Sequence, residues 1–392
     1  MNSAPKAVVV GAGIGGLCVA AGLIRIGWRV RVLERSPRPR EVGAGMSLMV
    51  NARRALDQLG VGAEVRARSA TMMPGGQGVR LPSGRRLMPG ADADFVAEHG
   101  LSAIVLLRRD LQDVLLSALT DGCLRTGARV TDVRWDPAGG PACVVYHTDE
   151  GTRTIEGDLV VGADGVNSRI RSLLQPDAHP PVYSGHSVWR GISECTMPDE
   201  PGGNTWGRGR QFGRMPLRDG RVYWYAVANT PLGQSSDDEL GEVRRRFGTW
   251  HDPIPALLDS TPGDTVLHHD VFELDPPLSS YVSGCVALLG DAAHAMTSDI
   301  GQGACQSIED AVVLCAALAE QPDVSAALAR YDEQRRPRAQ MIVEASRRMG
   351  ELTMRERRWQ VLARNAMVRM VPRRSRERAL AAVGDWQPPV LA

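Results

Sequence analysis

Three acidic side chains follow the same kind of segment. Glu34 ends the strand-like run Arg29–Leu33, Asp164 follows the run Asp158–Ala163, and Asp291 follows Val286–Leu289 and Gly290. A carboxylate at the end of a buried strand, beside glycine, accepts hydrogen bonds from hydroxyl or N–H donors where the backbone leaves room for a ligand. After Asp291 the chain reads as a loop over 292–300. Gly301-Gln302-Gly303 then opens a helix, with Ala304, Cys305, Ile308, Ala311, Val312 and Cys315 recurring at helical spacing. The free N–H groups at that helix start suit a partial negative charge.

Glu34 belongs to a longer pattern. Ala7–Val10 is a buried-strand run, Gly11-Ala12-Gly13-Ile14-Gly15-Gly16 follows, Leu17–Ile26 reads as a helix, and Arg29–Leu33 as the next strand. This is the dinucleotide-binding fingerprint in its required context. Gly11 permits the tight turn, Gly13 lets the backbone approach a pyrophosphate, and Gly16 lets helix and strand pack closely. Glu34, with Arg35 after it, stands eighteen positions past Gly16, where an acid meets a ribose hydroxyl. The motif does not separate FAD from NAD.

The stretch Val286–Ala311, with GDAAH, GQG and an acidic residue before Ala311, resembles the second flavin motif of the single-component FAD monooxygenases of the para-hydroxybenzoate and salicylate hydroxylase type. The resemblance runs over roughly residues 7–345. It implies an α/β fold in which a Rossmann-type FAD-binding domain is interleaved with an antiparallel-sheet substrate domain, with helices at the C-terminal end. It places Asp291 on the ribityl chain or pyrophosphate of FAD, and Gly301, Gln302 and Gly303 at the pyrimidine edge of the isoalloxazine. Gly43-Ala44-Gly45-Met46, followed by Asn51, resembles the segment beside the isoalloxazine, which points to Gly45 and Met46. Arg108 opens an R-x-D-L helix start assigned to the phosphate and ribityl region, and Val130 lies on a strand whose backbone holds adenine. Asp164-Gly165-x-x-Ser168-x-x-Arg171 matches the fingerprint credited with touching both FAD and nicotinamide; a plain helix N-cap acid is the alternative for Asp164, disfavoured by the spacing of Asp, Gly, Ser and Arg. The family usually has proline where this chain has Ser298.

The chemistry implied is NADH- or NADPH-driven reduction of non-covalent FAD. A C4a-hydroperoxide then forms with O2, and one oxygen atom passes to a small aromatic, phenolic or enolic substrate. No second complete G-x-G-x-x-G appears, so the nicotinamide has no Rossmann domain of its own and acts as a transient reductant. Gln211, Tyr223, Tyr225 and Arg190 are the candidates for substrate chemistry; His186, His268 and His269 read as exposed or structural. A flavin halogenase of the same fold needs an active-site lysine and a W-x-W-x-I-P run. Lys6 is the one lysine and lies in the first strand, and YWYAVAN does not match. A flavin reductase without oxygen transfer, and a non-catalytic flavin sensor, are the alternatives.

These residues need two platforms. Residues 1–71, 101–175 and 284–345 are expected to form the FAD domain, 72–100 and 176–283 the substrate sheet, and 346–392 a helical segment. Along Val222–Val227, Tyr223 and Tyr225 share one face of a strand, and Val222, Trp224 and Ala226 the other. Pro74-Gly75, Ser83-Gly84 and Asp219-Gly220 mark turns, and Asp238–Phe247 reads as a short helix. Val324–Thr353 and Arg355–Val371 read as amphipathic helices with many arginines outward. The 392 residues carry a formal charge of +1, which gives no reason to expect nucleic acid or an anionic membrane as partner. Seven scattered cysteines without a C-x-x-C pair read as buried free thiols, with no metal-ligand spacing. The uncharged run Ala7–Ile24 holds five glycines and reads as strand, turn and helix, not as a membrane span, and Lys6 alone makes a poor signal-peptide start. The location expected is cytoplasmic.

Overall fold

The computed structural model describes residues 4–38, 44–72, 78–137, 140–197, 201–321 and 323–391. Gly43 and the Pro74-Gly75 turn lie outside them.

Short apolar runs with glycine at their ends make a parallel sheet of six strands. From one edge to the other these are Val282–Ser283, Val286–Leu288, Leu159–Gly162, Lys6–Val10, Arg29–Leu33 and Leu124–Arg125; only the first is antiparallel to its neighbour. All three acids noted above therefore leave the same end of one sheet, because Arg29–Leu33, Leu159–Gly162 and Val286–Leu288 run in one direction. Helix Ile14–Arg25 and the long helix Gly303–Glu320 pack together on this sheet. Gly22 allows their close approach, since a Cβ there would lie 2.6 Å from the Cys315 sulfur.

The second large sheet has seven strands in the order Leu267–Glu273, Val182–Ser193, Val222–Asn229, Arg210–Pro216, Gly203–Trp206, Val79–Arg80 and Arg86–Met88. Its pairs are antiparallel except for Gly203–Trp206 with Val79–Arg80. Alternation decides its two faces. Val222, Trp224, Ala226, Trp189 and Phe212 pack against helices Glu239–Phe247 and Ile254–Asp259, while Tyr223 and Tyr225 point to the other side. There Tyr223 presses on strand Gly45–Leu48, and a side chain at Gly45 would collide with its ring. Two three-stranded sheets complete the β-structure: Gly151–Gly157, Ala142–Thr148 and Arg129–Arg134, and Gly45–Leu48, Ile104–Leu107 and Ala70–Thr71.

Several local expectations need correction. Asp291–His294 forms one helical turn inside the stretch read as a loop, because the Ala293 and His294 N–H groups turn back to the Gly290 carbonyl. Within 72–100, assigned above to the substrate sheet, helix Ala93–Glu98 forms, capped by the Asp92 carboxylate. On the C-terminal helices, where many arginines were expected outward, Arg335 and Arg364 are buried. Arg364 donates to the carbonyls of Gly207 and Thr353, and Arg335 anchors an ionic network described below. All seven cysteines are free, five of them buried. Among the described residues no helix is long and apolar enough to cross a membrane.

Candidate active site

At the glycine loop, Gly11 has φ +103°, which any larger residue adopts only under strain, and its N–H donates to the Leu33 carbonyl. A Cβ at Gly16 would collide with the Gly11 carbonyl oxygen, and one at Gly15 with Leu289, so these two glycines are required by packing. Gly13 differs. Nothing stands within 4 Å of where its Cβ would be, and helix Ile14–Arg25 begins there without a side-chain cap. The loop thus holds an open cradle lined by free N–H groups. Glu34 braces it, accepting from the Ala12 and Ser36 N–H groups at 2.8 Å each. Arg35 is exposed beside it. Val130 is buried on strand Arg129–Arg134 of the neighbouring three-stranded sheet, just after Ala128, whose N–H donates to the Glu34 carbonyl.

Asp291 is exposed and accepts no hydrogen bond from the described residues. Its charge acts on Arg108, at the uncapped start of helix Arg108–Ser117. Arg108 reaches solvent, yet protein encloses it; that burial lowers its pKa, against the favourable pull of Asp291 and together with repulsion from Arg190. Asp164 is committed within the protein. Its oxygens accept from Ser168 Oγ and from the N–H groups of Arg169 and Ile170 at the start of helix Arg169–Leu174. Buried Arg171 donates to the Val166 and Ala292 carbonyls, tying this loop to the Asp291 turn.

Beneath the turn lies a charged network that sequence reading missed. Asp310 accepts from the Gly290 N–H at 2.9 Å and from Arg335 Nε at 2.7 Å, and meets His294 Nε2 at 2.6 Å. Glu309 accepts from Arg335, Arg338 and Asn51. Burial alone would raise the Asp310 pKa, but His294 and Arg335 outweigh it and hold the carboxyl well below the usual range. Gln302 joins the same network: its side-chain oxygen accepts from Asn51 and Gln306, leaving only its main chain for a ligand. Gly301 takes φ +66° and Gly303 has open space at its Cβ position. Buried glutamate and aspartate paired with an arginine some 25 residues on were the available signal.

On the sheet, the structure brings together all four candidates for substrate chemistry. Arg190 is the register partner of Tyr225 and lies close enough to the Tyr223 hydroxyl to favour its anion. Burial raises the pKa of both tyrosines, with Arg190 opposing it. The two rings stand 6.3 Å apart, and Tyr225 donates to Asn204 Oδ1 at 2.5 Å. Gln211 is buried and its Nε2 lies 3.5 Å from Asp299 Oδ1. Met46 is half-buried on the strand facing this group. Two further residues complete it. Asp299, on the loop before Gly301, has one buried oxygen without a partner. Burial raises its pKa, opposed by His186, Thr297 and Thr353. His186, expected exposed or structural, is buried beside it; burial lowers its pKa and Asp299 works against that. Asp299 was overlooked, and His186 set aside as exposed or structural, because nothing in the linear sequence links residue 186 to residue 299. His268 instead stacks on Trp189 and bonds Glu239.

The model of the FAD binding domain family matches residues 5–346. The chain belongs to the class A FAD-dependent monooxygenases. It is 36% identical, over 95% of both chains, to the aurachin C monooxygenase/isomerase of Stigmatella aurantiaca. It is 31% identical to the FAD-dependent urate hydroxylase of Klebsiella pneumoniae, over 89% of this chain and 90% of that one. The structure of Klebsiella pneumoniae HpxO complexed with FAD and uric acid superposes with a TM-score of 0.88 at 27% identity, covering 98% of this chain and 97% of that one. As a class A monooxygenase the enzyme takes FAD, and its own residues fit that cofactor. The Gly13 cradle admits a phosphate, and Asp291 offers a free acceptor to polyol hydroxyls. The open start of the helix at Gly303 faces the same end of the sheet.

Proposed function

We propose that this monooxygenase spends NADH or NADPH to reduce its FAD and transfers one oxygen atom of O2 to a small, electron-rich aromatic or heteroaromatic substrate bearing an ionisable hydroxyl or N–H. The urate hydroxylase and the aurachin C monooxygenase/isomerase support the substrate class. FAD, when bound, supplies the two-electron chemistry and the activation of oxygen. Gly11, Gly13, Ile14, Gly15, Gly16, Glu34, Arg35 and Val130 hold its adenosine and pyrophosphate. Arg108, Asp164 and Asp291 hold its middle, and Gly45, Met46, Gly301, Gln302 and Gly303 its ring. The division of labour follows the sheets: residues 1–71, 101–175 and 284–345 carry the cofactor, and 72–100 with 176–283 roof the substrate.

The observation that carries the reading is Asp299. A carboxylate with a raised pKa and a buried, unpartnered oxygen, set between the Gly301 loop and Gln211, is suited to take a proton from an acidic substrate. Gln211, Arg190 and Tyr223 orient the substrate and stabilise the anion left behind; Tyr225, held by Asn204, fixes the Tyr223 ring. Loss of the proton enriches the ring carbon that receives oxygen. The test is a screen of hydroxylated aromatics and azaheterocycles under labelled O2, following NADH and NADPH oxidation. Faster oxidation with one labelled atom in the product is expected. Oxidation without label would favour a reductase, and no NAD(P)H consumption with any compound would end the proposal.

A further inference from the structure

The helix Arg358–Met370 lies on the outer side of the seven-stranded sheet, with Val368 packed against Val79, Leu87 and Trp206 and Arg364 buried under it. Its opposite face is apolar and uncovered. Trp359, Leu362, Met367 and Met370 are 63%, 69%, 45% and 74% exposed, and Val371 follows. Among the described residues nine large hydrophobics are exposed, and these five fall within thirteen positions, so they form a patch and not a scatter. At 100° per residue Trp359, Ala363, Ala366 and Met370 form one line, with Leu362 and Met367 on either side.

The rim of this patch is basic. Residues 355–378 contain nine arginines against two glutamates, a surplus of seven positive charges in a chain whose total is +1. The whole-chain value averages this segregation away. Arg357, Arg358, Arg369, Arg374 and Arg378 are exposed and make no ion pair with a described carboxylate. Arg358 and Arg369 flank the Leu362 edge of the stripe. The same basic stretch continues into helix Arg373–Gly384. Leu380, Val383 and Gly384 of that helix line a small, partly open apolar crevice, with Met49, Met72 and Ala103 on its far wall. Met49 touches Gln302, and Met72 packs with Tyr223.

We propose that this face docks the enzyme on an anionic lipid surface, with the Trp359–Met370 stripe in the acyl boundary and the arginines on the headgroups. An exposed apolar stripe with tryptophan at one end and arginines around it is the pattern of an interfacial helix. A second copy of the chain is the poorer occupant, since a two-fold contact would set Arg358 and Arg369 against their own copies. Aliphatic Leu362, Met367 and Met370 offer no stacking plane for nucleic-acid bases. The crevice beside the docked helices would then open towards the lipid and on towards Met49 and Met72.

The full chain, purified with FAD, is floated with vesicles of phosphatidylcholine alone or with added phosphatidylglycerol. Flotation with the anionic vesicles only, weakened by salt, is expected. Arg358→Gln with Arg369→Gln should lower the partition coefficient about thirty-fold, and Leu362→Glu with Met370→Glu should abolish flotation. Both variants should keep FAD content and thermal midpoint, as these side chains contact no other part of the site. No flotation of the unmodified protein, or equal flotation on neutral vesicles, would overturn the proposal. So would a lipid-free dimer that Leu362→Glu with Met370→Glu dissociates.

Discussion

Two sets of charged side chains lie on either side of the Gly290–Gly303 segment, and they are treated in opposite ways. Below it, His294, Glu309, Asp310, Arg335 and Arg338 are buried or nearly so, and their charges answer one another at 2.5–2.9 Å. Above it, Arg108 and Asp291 are exposed, and Asp299, beside His186, keeps one buried oxygen without a partner. The carboxylates of the lower set have no valency left for a ligand, His294 alone keeping an unpartnered Nδ1, and the set fixes the backbone through the Gly290 N–H. The upper set is left incomplete by the protein. Charge density alone therefore does not mark the site; unsatisfied charge does.

Breaking the lower set should have the largest effect. Arg335→Leu strands two buried carboxylates, and a loss of about 3–5 kcal/mol in stability is expected from urea unfolding. A loss below about 1 kcal/mol would erase the contrast between the two sets.

Asp299→Asn should leave the fold intact and cut substrate turnover about a hundred-fold or more if it is the proton acceptor. Its pH signature sharpens the comparison. Burial raises the folded-state pKa above the ordinary 3.8, so stability is greatest below that value and declines as pH rises through the folded pKa. The asparagine variant should lose that decline and be the more stable protein at neutral pH. His186 acts in the opposite sense, its stability contribution being full above its ordinary 6.5 and lost as pH falls through the lowered folded value. Tyr225 and Glu273 also sense Asp299, so the melting profile is read in both proteins side by side. A neutral-pH melting point no higher in the variant would count against the buried, strained carboxylate.

Asp291→Ala removes an acceptor that no described residue uses. FAD affinity should fall about ten- to hundred-fold, as a charge-assisted hydrogen bond is worth roughly 1.5–3 kcal/mol. The apo-protein should melt within about 0.5 kcal/mol of the original. Full flavin retention would remove Asp291 from the cofactor site. Glu34 belongs to both sets, because it already accepts from Ala12 and Ser36. Glu34→Ala should weaken FAD about ten-fold, FMN much less, and also lower stability by about 1 kcal/mol. Equal losses for FAD and FMN would place it away from the adenosine.

The smallest effect concerns Ser298, exposed, with its carbonyl accepting from the Gly301 N–H. Proline there fixes φ and stiffens the loop that carries Asp299. Ser298→Pro should raise product formed per NAD(P)H consumed, less than about two-fold, with less hydrogen peroxide released. Unchanged coupling would make the serine neutral.

The sequence by itself determined the parallel sheet, the glycine loop and the acids at its strand ends, since each rests on near neighbours: a strand, a turn with positive φ, a helix. It also determined which face of Val222–Val227 carries the tyrosines, because the period of a strand is two. Gly11 and Gly16 are where that local reading and the structure meet. What only the tertiary structure decided are pairings across long separations. Asp310 with Arg335, Glu309 with Asn51, and Asp299 with His186 and Gln211 arise because the loop after Gly290 passes between one sheet and the other. Whether a polar side chain is a prop or a free functional group depends on which partners arrive from elsewhere in the chain. Asp164 shows this: its carboxylate is taken up by Ser168, Arg169 and Ile170. Asp291, at the end of the same sheet, is left open because the Arg335 network already fixes its turn.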